Sequence, residues 1–294
     1  MQGLRKWILV LRAWSFSVDF TPVTLGAVLA LPQFNLGFYI AMVIGVVALN
    51  GVANVVNDIF DFEYGIDKKS DEAAEKRGHP LIVNSVSKRS LWHIVIAMAV
   101  VAALCGAYIA ASRGYMVLVL GAIGAALAYF YSAGKKSLKM LGLGELAVFI
   151  VFGPLITESA YFVESGSFSL LPAAVAIPIG LLVILVHLSN NIRDIKKDRR
   201  VGIRNVVAYL GKARSTRLFS CILALVYAFV FLFIAISVIP LFSAVVVLSA
   251  YRAYRINAMV HDNIAHDAPA QLSIFALLFG LLFISGIAIG YVLG

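Results

Sequence analysis

The sequence predicts an all-α membrane protein with nine transmembrane helices. Three observations favour this fold class: 62% of the 294 residues are hydrophobic, only 13% are charged, and the apolar residues occur in long runs. Soluble domains are about 45–50% apolar, so this chain carries more apolar surface than a soluble core buries. An apolar run of about 20 residues crosses the hydrocarbon layer as a helix, which satisfies its own backbone hydrogen bonds.

Nine apolar runs follow one another along the chain. The eighth is short, and Pro240 blurs its start because proline does not continue a helix. We expect one membrane domain over residues 1–294 and recognise no cleavable leader peptide. The predicted spans are 14–31, 36–58, 92–111, 115–132, 142–163, 171–191, 216–236, 238–251 and 271–293.

The basic residues are distributed unevenly between the predicted loops. Of the 24 Lys and Arg residues, 23 lie in the N-terminal segment or in loops that follow even-numbered spans, and Arg113 alone lies on the other side. Because basic loops stay in the cytoplasm, we expect a cytoplasmic N-terminus, an external C-terminus and insertion in the inner (plasma) membrane. The net charge of +9 fits this asymmetry, and we expect no nucleic-acid partner. Cys105 and Cys221 lie within apolar runs and predict no disulfide framework.

Two similar acidic motifs end the second and sixth spans. The first is Asn54-Val-Val-Asn57-Asp58-Ile-Phe-Asp61, continuing to Asp67. The second is Asn190-Asn191-Ile-Arg193-Asp194-Ile-Lys-Lys-Asp198. The two spans have the same predicted orientation, so both motifs are expected at the cytoplasmic face, which hints at an internal repeat. Residues four apart on a helix share a face, about 6 Å apart along the axis, so Asn57 and Asp61 are expected to lie on one stripe.

Together the motifs predict a site for Mg²⁺. This ion prefers hard oxygen ligands and commonly takes one or two carboxylates, substrate phosphate and water. Two facing clusters of such ligands above an apolar cavity suit a lipid diphosphate, whereas two unrelated solvated helix ends are the alternative. Asp58 is expected to face elsewhere, since neighbouring helix residues project about 100° apart. The expected metal ligands are Asn57, Asp61, Asn191, Asp194 and Asp198.

Several residues outside the metal stripe are expected to serve the same site. Lys139 and Arg193, in basic loops, are expected to share the charge of a diphosphate, although positive-inside bias explains most loop cations. Tyr131, at the end of the fourth span, borders the site or belongs to the interfacial aromatic belt. Asp19 and Glu145 are acids within apolar spans and need a cavity or a partner. The Walker phosphate-loop pattern does not occur, so ATP-driven chemistry has no support.

The chain resembles the UbiA superfamily of intramembrane prenyltransferases over nearly its full length. Besides the two acidic motifs, three blocks carry the resemblance: Arg12-Ala-Trp14-Ser-Phe-Ser17, Gly142-Leu-Gly-Glu145 and Phe152-Gly-Pro-Leu155. The similarity is greatest to the 1,4-dihydroxy-2-naphthoate polyprenyltransferases of menaquinone synthesis. The chain departs from that subfamily at Ala13, Asp19, Glu158 or Ser159, and in the Gly202-Ile-Arg-Asn205 segment. The changes at Ala13 and Asp19 bear on the acceptor and leave the metal motifs intact.

The resemblance implies a nine-helix bundle around a central cavity, embedded in the lipid bilayer. It implies Mg²⁺-dependent transfer of a prenyl chain from polyprenyl diphosphate to the aromatic acceptor 1,4-dihydroxy-2-naphthoate, giving demethylmenaquinone. The implied catalytic residues are Asp61, Asp194, Asn57 and Asp198, and the implied substrate- and cofactor-binding residues are Asn54, Asp67, Asn190, Asn191, Arg193, Lys139 and Tyr131. Other acceptors (4-hydroxybenzoate, homogentisate, haem or a glycerol lipid) stay open. A secondary transporter, the rival class, would spread its acids through the midplane, whereas these acids cluster at one face.

Overall fold

A computed structural model describes residues 10–68, 79–83, 86–262, 264 and 267–293. Within these ranges the chain is helical, with turns between the helices and no strand. The helices are α1 (Ser17–Leu29), α2 (Leu36–Glu63), α3 (Lys88–Arg113), α4 (Met116–Ser132), α5 (Gly144–Ser165), α6 (Leu170–Val201), α7 (Lys212–Ala235), α8 (Ala250–Asp262) and α9 (Ala268–Leu293). A 3₁₀ turn at Ala13–Phe16 precedes α1, a short helix at Val206–Leu210 follows α6, and a 3₁₀ helix at Leu241–Ser249 leads into α8.

Each predicted span overlaps a helix, the eighth mainly the 3₁₀ helix Leu241–Ser249, so the all-α prediction is confirmed. In the described part of the chain, six helices are long and apolar enough to cross a membrane: α2, α3, α5, α6, α7 and α9. The helices α1 and α4 are apolar but shorter, and the eighth predicted span is partly 3₁₀ helix. The protein is therefore a polytopic membrane protein, and the count of nine spans stays a prediction.

Side-chain caps and glycines set the ends of the helices that carry the site. The Asn35 side chain accepts a hydrogen bond from the Phe38 amide, 3.1 Å away, at the start of α2. At the start of α3, Ser87 Oγ accepts one from the Ser90 amide, 3.0 Å away. Gly202 ends α6 in the left-handed region, with φ of 78°. The second acidic motif therefore lies in the last turns of α6, next to the loop.

Small residues allow close approach of α1, α5 and α6. A Cβ added at Gly26 of α1 would lie 2.7 Å from Cβ of Ala160 and 2.9 Å from the amide nitrogen of Tyr161, both on α5. A Cβ at Gly153 of α5 would lie 3.2 Å from Cα of Gly180 on α6. Van der Waals packing of this kind holds membrane helices together, because the lipid offers no hydrophobic drive for their association.

The largest apolar core joins α1, α6, α7 and α9 on one side of the molecule. Its bulkiest fully buried side chains are Leu25, Leu182, Leu185, Leu188, Phe219, Phe275, Phe279 and Phe283. The other side is more open, since α1 to α6 and α9 contribute residues to a central cavity of about 490 Å³. The fold thus places the cavity beside a well-packed core, and both acidic motifs open into it.

Candidate active site

The central cavity has one charged end and apolar walls. The charged end is formed where α2 and α6 finish and by the loops next to them, whereas the walls come from the helix interiors. A volume of about 490 Å³ lies within the range of about 300–1,000 Å³ that is usual for small-molecule sites. Apolar wall residues include Val46, Leu49, Leu120, Leu127, Phe152 and Ile156.

The first motif forms the predicted stripe at the end of α2. Asn57 Nδ2 donates a hydrogen bond to Asp61 Oδ2, 3.0 Å away, as expected for residues one turn apart. Lys139 Nζ, from the loop after α4, lies 2.9 and 2.7 Å from the two carboxylate oxygens of Asp61. Ser132 Oγ donates to Asn57 Oδ1 at 2.7 Å. The stripe is therefore held from the side by the segment that ends α4.

The second motif lies on α6 and has its own partners. The Arg193 guanidinium donates to both oxygens of Asp194, from Nε at 2.9 Å and from Nη2 at 2.7 Å. Asp198 Oδ2 accepts a hydrogen bond from Asn205 Nδ2, 2.6 Å away, in the loop that follows α6. Asn190 and Arg193 line the cavity with both acids. Each carboxylate of this motif thus already has a hydrogen-bond donor in the protein.

Asn191 and Glu145 connect α6 to α5. Asn191 Nδ2 donates to Glu145 Oε1, 2.9 Å away, and Asn191 lines the cavity. The acid in the fifth predicted span therefore has the partner that its position required. Asn191 is one of the predicted metal ligands, and Glu145 holds its side-chain amide through the nitrogen.

Ion pairs link the two motifs to each other and to the N-terminal segment. Lys197 of α6 pairs with Asp67, which follows α2, so the two motifs are joined directly. Arg12 pairs with Asp58. His79 Nε2 lies 3.5 Å from Asp67 Oδ2 and 3.9 Å from Asp58 Oδ1. These contacts make one buried charged cluster at the cavity mouth.

The prediction that Asp58 faces away from the site is wrong. Asp58 is 2% exposed and lines the same cavity as Asn57 and Asp61. The cavity mouth borders two adjacent faces of α2, one with Asp61 and one with Asp58. Arg12 and His79 lie next to Asp58 on the second face. Sequence reasoning also missed Arg12 and His79 as site residues. Their only local signal was a charged or titratable side chain beside an apolar run.

Tyr131 belongs to the cavity rather than only to an interfacial belt. Its hydroxyl lies 3.2 Å from Nδ1 of His187, and the two rings meet edge to face with centroids 5.9 Å apart. Both residues line the cavity. The aromatic pair places a hydroxyl and an imidazole between the charged mouth and the apolar walls.

Asp19 lies in the cavity wall and has a partner on a neighbouring helix. Asp19 Oδ2 accepts a hydrogen bond from Asn50 Nδ2 of α2, 2.9 Å away, and that amide lies 3.4 Å from Ser15 Oγ. Ser15, in the 3₁₀ turn before α1, and Asp19 of α1 thus meet the same asparagine.

The donor set of the two motifs fits Mg²⁺. It consists of carboxylate and amide oxygens, the ligands that this ion prefers. All five predicted ligands line one cavity: Asn57, Asp61, Asn191, Asp194 and Asp198. A second group, Asp58, Asp67 and His79, has ligand atoms within 4.8 Å of one another. That group includes an imidazole nitrogen in place of an oxygen ligand, so it fits Mg²⁺ less well.

Comparison with known proteins agrees with this architecture. Residues 20–282 match the model of the UbiA prenyltransferase family. The chain is 31% identical to rat UbiA prenyltransferase domain-containing protein 1, over 97% of this chain and 84% of that protein. It is 27% identical to 1,4-dihydroxy-2-naphthoate octaprenyltransferase of Bacillus subtilis (strain 168), over 95% and 91% of the two chains.

Two solved structures share the fold. A UbiA homolog from Aeropyrum pernix K1, solved in its apo form, has a TM-score of 0.71 at 22% identity and covers 95% of this chain and 98% of its own. A UbiA homolog from Archaeoglobus fulgidus bound to GPP and Mg²⁺ has a TM-score of 0.67 at 15% identity, covering 96% and 99%. The resemblance recognised from the motifs is confirmed, and the chain belongs to the UbiA prenyltransferase family.

Proposed function

We propose that this protein transfers a polyprenyl chain from its diphosphate to 1,4-dihydroxy-2-naphthoate in a Mg²⁺-dependent reaction. The observation that carries the proposal is the single cavity that joins both acidic motifs to apolar walls. A polyprenyl diphosphate has the same division, with a highly charged head and an apolar chain. The cavity therefore matches the donor substrate along its length.

The charged end of the cavity is the proposed binding place of the diphosphate. The residues that would hold Mg²⁺ there are Asn57, Asp61, Asn191, Asp194 and Asp198. When bound, the ion supplies positive charge that stabilises the diphosphate as a leaving group. Lys139 lies against Asp61 in the described structure, and its ammonium is positioned to contact phosphate oxygens as well.

The apolar walls would take the prenyl chain and exclude water from the reacting carbon. In the proposed reaction the bond between C1 of the prenyl group and the diphosphate oxygen breaks, and the electron pair leaves with the diphosphate. The ring carbon that bears the carboxylate then attacks C1 with a π electron pair, and the bond to the carboxylate breaks with release of CO₂, which restores the aromatic ring and gives the quinol form of demethylmenaquinone. Water would quench the allylic cation, so the dry walls protect the intermediate.

The acceptor assignment rests on similarity together with chemistry. The Bacillus subtilis relative carries 1,4-dihydroxy-2-naphthoate in its name. A bicyclic ring with two hydroxyl groups is electron-rich enough to attack an allylic cation. Its carboxylate is also complementary to the cations at the cavity mouth, among them Arg12 and Arg193.

In the proposed orientation the charged mouth faces the cytoplasm. This agrees with the basic loops expected there, with nine spans, and with an N-terminus inside and a C-terminus outside the inner (plasma) membrane.

Product analysis tests the proposal. Purified protein is incubated with Mg²⁺, a polyprenyl diphosphate and, separately, 1,4-dihydroxy-2-naphthoate, 4-hydroxybenzoate or homogentisate, and product masses are measured. We expect prenylation of the naphthoate, its loss with chelator, and its recovery with added Mg²⁺. Asp61→Ala and Asp194→Ala should each abolish turnover. Glu63→Ala is the matched control, since this acid follows Asp61 by two residues but is exposed and lies outside the cavity. A preference for a monocyclic acid would refute the acceptor, and full activity in Asp61→Ala would refute the metal site.

A further inference from the structure

Four polar side chains form a continuous patch in the cavity wall, which extends from the start of the first acidic motif toward the apolar end of the cavity. Asn50 and Asn54 lie one turn apart on α2, and they are faced by Asp19 of α1 and by Ser15 of the 3₁₀ turn before α1. Asn54 Nδ2 lies 3.0 Å from Ser15 Oγ, and Asn50 Nδ2 lies 2.9 Å from Asp19 Oδ2. All four line the cavity. The hydrogen bonds fix the orientation of both asparagine amides.

Asp19 is the member of this patch whose hydrogen bonding is incomplete. It is 1% exposed, and its Oδ1 has no hydrogen-bond partner among the residues that the structure describes. A buried polar atom left unpaired costs about 1–3 kcal/mol, and more for a charged group. Folding alone gains nothing from that oxygen, since Asn50 already satisfies the other one. The cost is offset if a ligand supplies the missing donor.

The position of the patch relative to the metal motif limits what the ligand is. At about 1.5 Å per residue, Asn50 and Asp61 are about 16 Å apart along the axis of α2. That separation leaves room for an aromatic ring between the bound diphosphate and Asp19. On α2 the lining residues between them are Ala53, Asn54, Asn57 and Asp58, whereas the apolar Val46 and Leu49 lie beyond Asn50. A ligand group that donates to Asp19 would therefore lie where the polar lining ends and the apolar walls begin.

We propose that Asp19 and Asn50 form the subsite that binds a ring hydroxyl of the prenyl acceptor. The Asp19 carboxylate accepts a hydrogen bond from that hydroxyl. This inference rests on the proposed function, because it takes an aromatic acceptor as given. The terminal torsion of an aspartate is broad, so its carboxylate turns at small cost toward a donor in the cavity. The contact anchors the ring and selects a hydroxylated acceptor over one that lacks the hydroxyl.

A single substitution exchanges acceptor for donor at this point. In Asp19→Asn the side-chain oxygen keeps the hydrogen bond from Asn50 Nδ2, so the new NH₂ group takes the place of Oδ1. The hydroxyl of the parent compound then points its proton at the NH₂ group of the new asparagine, which cannot accept it. The methoxy oxygen of an ether can instead accept a hydrogen bond from that NH₂ group. The two monomethyl ethers of 1,4-dihydroxy-2-naphthoate are the probes. Their Ki values, as competitors of the parent compound, are measured under reducing conditions for the wild-type and variant proteins.

In the wild-type protein we expect one ether to bind about tenfold more weakly than the parent, the effect of losing one well-formed hydrogen bond of about 1.5 kcal/mol. In Asp19→Asn that penalty should disappear or reverse, while the KM of the prenyl diphosphate changes by less than about twofold. Thr157→Val is the matched control: Thr157 is 0% exposed and its Oγ1 also lacks a partner among the described residues, but it lies outside the cavity. It should leave both ether ratios unchanged.

Several results would overturn the subsite. Unchanged ether ratios in Asp19→Asn would do so, as would equal changes in the KM values of acceptor and donor. If Asp19→Asn is not recovered folded, Asp19→Ser and the wild-type protein decide: Asp19→Ser should lose the discrimination, and a wild-type protein that binds both ethers as tightly as the parent refutes the idea. Failure of the wild-type protein to prenylate any aromatic acceptor would instead overturn the proposed function, and this subsite with it.

Discussion

Replacing Lys139 by methionine should change stability, metal response and turnover together. Lys139 is the cation that pairs with the Asn57–Asp61 stripe, with Nζ 2.7 Å from Asp61 Oδ2 and 3.4 Å from Asn57 Oδ1. Its side chain is 23% exposed, and that of Asp61 is 7% exposed. Lys139→Met keeps the length and apolar stem of the side chain but removes the charge. The Asp61 carboxylate then stays buried without its cation.

The size of the effect follows from that burial. Breaking a fully buried ion pair by removing one partner costs about 3–5 kcal/mol, and an exposed pair is worth about 0–1 kcal/mol. With one partner buried and the other partly exposed, we expect about 2–3 kcal/mol. For a chain of this length that lowers Tm by about 3–5 °C, from an unfolding entropy of about 2.1 cal/mol/K per residue.

The metal response should move in the opposite direction. In the proposed site Lys139 competes with Mg²⁺ for Asp61, so its removal should let Mg²⁺ raise Tm more in the variant than in the wild-type protein. Turnover should still fall, because the diphosphate loses a cation that stabilises it as a leaving group. A loss of about 2–3 kcal/mol of this transition-state stabilisation corresponds to roughly a 30- to 150-fold lower kcat/KM. The assay is thermal unfolding in detergent with and without Mg²⁺, together with steady-state kinetics.

Lys136→Met is the control for these measurements, because it removes an exposed lysine from the same loop. It should leave Tm, the Mg²⁺ response and kcat/KM close to wild-type values. The reasoning is refuted if Lys139→Met lowers kcat/KM while Tm and the Mg²⁺ response stay at wild-type values. It is equally refuted if both lysine variants behave alike, since the effect would then come from net loop charge.

Two further predictions concern topology and packing. In a background without the native cysteines, Val83→Cys should be shielded from impermeant thiol reagents in intact cells and Tyr115→Cys should be labelled; the reverse pattern would invert the orientation expected from the basic loops. Gly26→Ala should lower Tm by an amount equivalent to about 1–3 kcal/mol, because its Cβ would lie 2.7 Å from Cβ of Ala160, whereas Gly121→Ala, with open space around it, should have little effect. Equal Tm values for the two glycine variants would contradict the close packing of α1 on α5.

Local sequence patterns were sufficient for the elements and for one side of the site. Apolar runs predicted the helices, because a membrane span must satisfy its own backbone. Spacing predicted that Asn57 and Asp61 share a face, and they are hydrogen-bonded. Among the three basic residues after α4, Lys139 was expected to contact the diphosphate, but its pairing with Asp61 was not predicted. Lys139 pairs with Asp61 because the turn hydrogen-bonds its amide to the Tyr131 carbonyl, 3.0 Å away.

Long-range partners account for the rest. Asp58 is oriented by Arg12, and Asp19 by Asn50, each on a different segment. Helix periodicity gives the angle between side chains but not which angles face the cavity, since that depends on how the helices pack. The close approach at Gly26, for example, sets where α1 meets its neighbours. A single sequence contains both residues of such a pair without any pattern that joins them.

The charged mouth is built so that every acid of the two motifs already has a donor within the protein. Asp61 has Lys139, Asp194 has Arg193, and Asp198 has Asn205. Bare buried carboxylates would be costly, so these partners stabilise the ligand-free chain. In the proposed reaction the same cations are needed by the diphosphate, whereas the carboxylates are needed by Mg²⁺. When the prenyl diphosphate binds, the protein cations would pass from the carboxylates to the phosphate oxygens, and Mg²⁺ would take their place at the carboxylates. The strongly charged diphosphate can then enter beside apolar walls without leaving a charge uncompensated.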